Sequence, residues 1–531
     1  MNVETQQPPA GLARRLSVLL LLLACTGCAW MPAAPPATEQ AYPSPDSAPC
    51  ALWYAQLDAE TDQAGVRDAG ATPITGFPQL RVDRFTAALR SRVVADAAAP
   101  ASPVLAALVQ RLRDLDQAAR TLEIANLPAA ARDRLAAGLA LGPEPAALSG
   151  HARHCAQRLT TSDLATPKRI ALLLQRLRVP DDYATVYRIL GLYALSRAPF
   201  LYGVRRLEAE QRAAFAQDRP PPPGTIRRRL SPPSRPDTST MSTERLRQML
   251  APPADDPLQI PAPTPVALEA LFAHFAPSFE VDTASNDDRP GALAWHQAAI
   301  AGAGAMLQVD THAPVVYRQL AYTSYGAQAL VQLVYTVWFP ARTRNPNVPL
   351  DLLAGKLDGL VWRVTLAPDG TPLVYDSMHP CGCYHMFFPT PAARPKPAPD
   401  DSMEWASSPQ SLPMPAAGDR IVLRVAAGTH YLERVYLEPQ DSGHRYAWRD
   451  YDALRSLPLG QHDRRSMFGP DGFVEGTDRP ESWLFWPMGI QRAGAMRQWG
   501  RHATAFVGRR HFDDADLLEK RFEFDALTLA P

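Results

Sequence analysis

Apolar residues recur at three- and four-residue spacing through the segment from Cys50 to Gln217, a period that predicts an all-helical domain. Arg81 to Val94, Pro103 to Leu122 and Asp163 to Leu177 each carry it. In the third, Leu164, Ile170, Leu173, Leu174 and Leu177 form a stripe, with Ser162 or Asp163 placed to cap its start. A further helical pattern from Asp182 to Phe215 is interrupted at Pro199. Its apolar part, Val186 to Leu201, contains Arg188 and Arg197 and is too short to span a bilayer, so it is expected as a helix of the bundle.

The pattern then lapses. The run Pro220 to Pro223, the triplet Arg227-Arg228-Arg229 and several more prolines predict an interdomain linker over 218–262, punctuated by a short helix at Ser242 to Met249. After a helical start at Pro265 to Phe275, the segments Val315 to Tyr322 and Ala329 to Phe339 are aromatic, β-branched and bounded by turn residues, as strands are. Leu360 to Leu366 and Pro372 to Tyr375 flank Pro368-Asp369-Gly370, and Arg420 to Val425 and His430 to Leu437 surround Gly428. Both pairs predict hairpins. Strands joined this closely must be mainly antiparallel, since parallel pairs need long crossovers. Pro391 to Pro415 is expected as a surface loop. The expected architecture is multidomain: an all-α domain at 50–217, then an α+β domain at 263–531 with a mainly antiparallel sheet. A chain of 531 residues is long enough for two cores.

The first fifty residues have a different character. Arg14 and Arg15 precede an apolar run from Leu16 to Ala24, broken only by Ser17, and then Cys25-Thr26-Gly27-Cys28. A basic start and a short apolar stretch make a secretory signal over 1–27. Ending in Thr-Gly-Cys, it resembles the lipobox of bacterial lipoproteins. The resemblance implies cleavage before Cys28, diacylation of its thiol and acylation, for example by palmitate, of its new amino group. Leu22-Leu23-Ala24-Cys25 is a second lipobox, with Cys25 as the alternative anchor. No aspartate follows either cysteine, which implies sorting to the outer membrane, facing the periplasm. Acyl chains contribute about 0.8 kcal/mol per buried methylene, so several of them make the attachment permanent. Residues 28–49, rich in Pro, Ala, Ser and Thr, read as a tether. The expected partners are therefore the membrane, through this anchor, and an envelope protein. Net charge is zero, so the chain has no basic footprint for nucleic acid.

The densest chemistry is His379-Pro380-Cys381-Gly382-Cys383-Tyr384-His385. His379, Cys381, Cys383 and His385 are ligand types for a zinc-like divalent metal. On a flat strand they would share a face, yet neighbours two apart stand about 6.6 Å from each other. Zinc ligands must all lie about 2.0–2.3 Å from the ion. Only a turn at Gly382 can bring the sulfurs together, and the same holds for a Cys381–Cys383 disulfide. A Cys-Gly-Cys disulfide or redox pair, a metal site, and ordinary bridges beside hydrogen-bonded histidines all remain open. With Cys28 acylated, Cys50, Cys155, Cys381 and Cys383 are left, an even count with three connectivities. Domain organisation favours Cys50–Cys155 and leaves Cys381 and Cys383 to each other.

Weaker constellations are His430 with Glu433, the polar stretch His502 to His511 with Asp513, Asp514 and Asp516, the carboxylates Glu280, Asp282, Asp287 and Asp288, and His151, His154 and Cys155. Each has a simpler account: a solvated face, a turn, or a hydrogen-bonded core histidine. The chain has no Gly-x-Ser-x-Gly, no His-Glu-x-x-His, no P-loop and no Gly-x-Gly-x-x-Gly, which excludes the easily read hydrolase and nucleotide families.

Gly65-Val66-Arg67-Asp68-Ala69, Gly76-Phe77-Pro78, Leu357-Asp358-Gly359-Leu360-Val361-Trp362-Arg363-Val364 and the Cys-Gly-Cys-Tyr-His run together resemble an uncharacterised family of proteobacterial lipoproteins. The resemblance spans most of the mature chain and implies no activity. Two functions are therefore expected. One is an envelope lipoprotein with an interaction or assembly role in the periplasm. The other is a periplasmic metal-binding or thiol-redox protein centred on His379 to His385.

Overall fold

Proline stands in the first turn of three long helices of the N-terminal region: Ala48–Ala64, Pro103–Asn126 and Pro145–Leu164. Its fixed φ suits the first turn, where its missing N–H is not needed. Ser102 caps the second helix by accepting from Leu105 N–H at 3.2 Å. The computed structural model that shows this describes residues 47–95, 102–218, 220–233, 241–296, 304–405, 407–416, 418–439 and 443–525. The signal sequence, Cys25, Cys28 and residues 29–46 of the tether lie outside the described residues.

The first and third of these helices are tied by a disulfide, Cys50–Cys155, with Cα atoms 5.0 Å apart. Between them is a buried ion network. Arg81 reaches Asp116 at 3.2 Å and Glu123 at 2.7 Å, and Arg120 reaches the same two carboxylates at 3.2 and 3.0 Å. Buried charges persist only when paired, and here two guanidiniums answer two carboxylates.

Local chemistry redraws several boundaries. In place of a helix from Arg81 to Val94, Phe77–Val82 is a strand paired with Thr72–Ile74, so the helical region holds a small hairpin. Asp83 then starts a short helix by accepting from Thr86 N–H at 2.7 Å, and a capped start cannot lie inside a longer helix. The expected helix Asp163 to Leu177 breaks at Pro167, where a new helix begins. The pattern from Asp182 breaks at Gly191–Leu192, with Leu192 left-handed at φ 48°, while Pro199 sits inside the helix Tyr193–Phe215. The bundle expectation for this pair also fails: Thr185–Leu190 buries no residue, and Tyr193–Phe215 buries only Phe215.

The β-rich region is built on two mixed sheets, a larger one that is mainly antiparallel and a smaller one with two antiparallel and two parallel pairings. In the larger, the order is Met386–Pro389, Pro372–Met378, Gly355–Leu366, Gln328–Arg342, Val315–Tyr325 and Ala447–Asp450, and only the last pair is parallel. The smaller runs Leu432–Glu438, Arg420–Val425, Ser278–Thr283, Ile226–Ser231 and His444–Arg445. Both expected hairpins are present. Val331, Leu333, Tyr335 and Val337 alternate along the longest strand and meet Trp362, Val364, Phe279 and Leu423 in the main core.

The segment 218–262, expected as a linker, supplies the strand Ile226–Ser231 and the helix Thr243–Leu250. Its arginine triplet is what makes a strand tolerable there, since Arg227 pairs with Asp282 at 2.8 Å and Arg229 with Glu280 at 3.6 Å on the neighbouring strand. The helical and β-rich regions share a core in which Leu105 and Leu173 join Leu258 and Ala329, and Phe85 stacks on Tyr322 at 5.4 Å. Ser44–Pro531 is accordingly one compact unit.

Candidate functional site

The site begins with a charge in the wrong place. Asp358 stands opposite Phe339 in the paired strands Gly355–Leu366 and Gln328–Arg342 and is fully buried. A lone carboxylate there would be prohibitive, so partners must come to it. His379, at the end of the next strand, presents Nδ1 to Asp358 Oδ1 at 3.1 Å. His430 presents Nδ1 to Asp358 Oδ2 at 3.0 Å and Nε2 to Asp288 Oδ1 at 3.3 Å. Arg479 lies 3.5 Å from Asp358 Oδ1 and donates to Leu357 O at 2.9 Å. Asp288, His430, Asp358 and His379 thus form a buried row of alternating acid and imidazole.

His430 is aimed by its backbone. It was expected inside a strand, but it takes a left-handed φ of 52°, and the strand starts at Leu432. Its ring lies flat on Phe339, with centroids 4.0 Å apart and planes 2° apart.

Burial pushes the Asp358 carboxyl up, but His379, Arg479 and His430 outweigh it and hold it well below the usual carboxylate range. Burial pulls His430 down, yet hydrogen bonds to Asp288 and Asp358 outweigh it and raise it. For His379 burial wins over Asp358 and lowers it. A neutral His379 whose Nδ1–H faces a carboxylate carries its lone pair on Nε2. That atom is buried without a hydrogen-bond partner among the described residues. It belongs to a ring set edge-on to Tyr384, centroids 5.0 Å apart. Tyr431 donates its hydroxyl to that of Tyr384 at 2.7 Å and accepts from Arg342 Nη2 at 3.1 Å.

The chain turns directly after His379. Gly382 N–H donates to His379 O at 2.8 Å, and His379 N–H donates to Cys383 O at 2.9 Å. Gly382 has φ 90°, and a β-carbon on it would lie 2.5 Å from the Ala503 carbonyl oxygen, so conformation and space both require glycine. Pro380 O is held from outside by Arg497 N–H at 3.0 Å and His502 Nε2 at 3.1 Å.

The turn brings the two sulfurs together. Cys381 and Cys383 are free thiols that flank this glycine. The neighbouring Cys383, assisted by the Arg479 charge, lowers Cys381, while Cys381 and burial raise Cys383. Cys381 is buried and Cys383 is partly exposed. Glu481, whose charge acts on both sulfurs, is lifted to about 7 by burial.

The four residues expected to hold a zinc-like metal do not converge. His385 points to a second network, with Nε2 facing Asp376 Oδ2 and Nδ1 facing Thr504 Oγ1, each at 3.3 Å. Arg363 Nε donates to Asp376 at 2.9 Å in the same network. His379 is committed to Asp358. Among the described residues no group of three or more His, Cys, Asp or Glu side chains is placed to hold a metal ion. The chain's turn separates the histidines while it joins the thiols, so the donor set does not fit a tetrahedral zinc.

Of the weaker candidates, Asp288 and His430 enter the site, while Glu280 and Asp282 pair with Arg229 and Arg227 on the strand Ile226–Ser231. His511 lies 3.5 Å from Asp181, Asp182 and Asp514, a separate cluster. Cys155 is spent in the disulfide, and His151 packs edge-on against Trp53 at 4.7 Å. Sequence reasoning missed Asp358, Arg479, Glu481 and Arg342 as site residues. The signal for Asp358 was legible, as an acid set in the apolar run Leu357 to Val364. No family model, no curated protein and no solved structure matches the chain.

Proposed function

We propose that the protein is a lipid-anchored protein of the bacterial cell envelope whose Cys381-Gly382-Cys383 turn exchanges thiols for disulfides with a partner protein. The observation that carries this is a pair of free thiols flanking a glycine-dependent turn, Cys383 partly exposed and Cys381 buried and lowered by Cys383 and the Arg479 charge. The partly exposed Cys383 attacks a partner disulfide, giving up its proton to the neighbouring, lowered Cys381 sulfur as the new S–S bond forms. One partner S–S bond breaks, a partner thiolate leaves, and a mixed disulfide forms. Cys381 then attacks Cys383 in that mixed disulfide and releases the second partner sulfur. The pair is oxidised by two electrons, the partner disulfide is reduced to two thiols, and the two protons pass to the partner sulfurs. Glu481, lifted to about 7, is suited to relay those protons near neutral pH. The lipobox supports the envelope placement, with Cys28 as the acylated residue.

Equilibrating the full chain against graded ratios of reduced and oxidised glutathione, then alkylating and weighing the Cys381–Cys383 peptide, tests the redox reading. The pair is expected to interconvert at a potential within the roughly −270 to −120 mV range of thiol–disulfide exchange proteins. A pair that stays reduced in fully oxidised glutathione would overturn it. Loss of acylation and membrane attachment in Cys28→Ser, but not in Cys25→Ser, is the expected result for the anchor.

A further inference from the structure

The molecule also has an apolar surface with nothing upon it. Ile189, Leu190, Leu192 and Leu195, at the corner between the helices Thr185–Leu190 and Tyr193–Phe215, are 64–72% exposed, and Trp483 is 82% exposed. They belong to one surface. Tyr187 meets Trp486 edge-on with centroids 6.3 Å apart, Phe200 meets Phe485 at 5.6 Å, and a β-carbon on Gly191 would lie 2.5 Å from Pro487. The left-handed Leu192 turns the chain sharply there, so the corner projects its leucines outward. Soluble surfaces rarely leave contiguous apolar side chains of this size in water, and such patches mark interaction sites.

Charge identifies the occupant. From Tyr183 to Leu207 the chain carries Arg188, Arg197, Arg205 and Arg206 and no acidic residue; Arg206 is answered by Glu210 at 3.1 Å, which leaves Arg188, Arg197 and Arg205 as the surplus positive charge. A second copy docked on the same face would set these arginines against each other. Anionic lipid headgroups would neutralise them, while leucine and isoleucine enter the acyl boundary and tryptophan and tyrosine sit at headgroup level. No described helix is long and apolar enough to cross a membrane. We infer that this corner seats in the interfacial layer of an anionic phospholipid bilayer, lying on the membrane and not spanning it. The inference is independent of acylation at Cys28 and of the thiol chemistry. With an anchor in place it would give the body a fixed orientation on the membrane.

The test uses vesicles of phosphatidylethanolamine and phosphatidylglycerol with brominated acyl chains, which quench only tryptophans that reach them. The mature full chain is mixed with the vesicles, and the Trp483 signal is taken as the difference between wild type and Trp483→Phe. Bromine is expected to quench that difference signal, and Ile189→Ser with Leu192→Ser is expected to abolish the quenching without lowering Tm, since both side chains are already exposed. Co-flotation of the same variants reports the acyl anchor separately. An unquenched Trp483 signal at saturating lipid overturns the inference. So does a lipid-free dimer that Ile189→Ser, Leu192→Ser disperses, which would assign the face to a second copy.

Discussion

Asp358 Oδ1 and His379 Nδ1 stand 3.1 Å apart in the interior, on adjacent strand segments. Asp358 is the negative centre for three positively charged or proton-donating groups, His379, His430 and Arg479. Removing it with Asp358→Ala leaves His379 and Arg479 without this carboxylate and His430 with Asp288 alone, and breaking a buried pair in this way costs about 3–5 kcal/mol. Urea unfolding should show a loss of that order, and Asp358→Asn should recover only part of it.

Gly382→Ala meets two obstacles at once: a φ of 90° and the Ala503 carbonyl at 2.5 Å. The left-handed backbone alone costs a residue with a β-carbon about 1–2 kcal/mol. The variant should be destabilised by at least that, and its thiols should become separately alkylable with iodoacetamide as the turn opens.

Glu481 gives the fold a pH signature. Its ordinary value is 4.5, and burial lifts it to about 7 in the folded protein. Between those values the native state binds more protons than the unfolded chain, so this group's contribution to stability is complete below pH 4.5 and is lost as pH rises through 7. His385 acts oppositely. Burial lowers it from 6.5 to about 3, so its contribution is present above pH 6.5 and is lost as pH falls through 3. Glu481→Gln should therefore remove a decline in Tm between pH 5 and pH 8 while leaving the acid limb unchanged.

The Cys50–Cys155 bridge closes a sequence separation of 105 residues. Replacing both cysteines with alanine should cost about 2–5 kcal/mol, read as a lower midpoint in denaturant. The Cys381–Cys383 thiols should titrate unchanged in that variant, because their turn is held by Arg497, His502 and Ala503.

Much of the fold was legible because its periodicities are local. Ala329 to Phe339 announced its strand, and Gly370 and Gly428 announced their hairpins. Strand Ile226–Ser231 was hidden because its stability comes from Asp282 and Glu280, some fifty residues on. The Cys50–Cys155 pairing and the dependence of the sulfur pair on Gly382 followed from chain organisation and from the geometry of two-residue spacing. The rest of the site did not. Arg479 and Glu481 lie about a hundred residues from the thiols, and nothing in their own neighbourhood marks them. His379 and His385 looked equivalent in the sequence, and only the sheet register sends one to Asp358 and the other to Asp376.

The glycine-dependent turn also has a consequence in time. Its walls come from Arg479, Arg497, His502 and Ala503, all about 100–120 residues beyond the thiols. A chain emerging from its N-terminus presents Cys381 and Cys383 well before those walls exist, as two ordinary thiols on a loose segment. Maturation therefore waits on the stretch 479–503 to be delivered. A nonsense or frameshift lesion between Cys383 and Arg479 would yield a protein with its cysteines intact and its chemistry unbuilt.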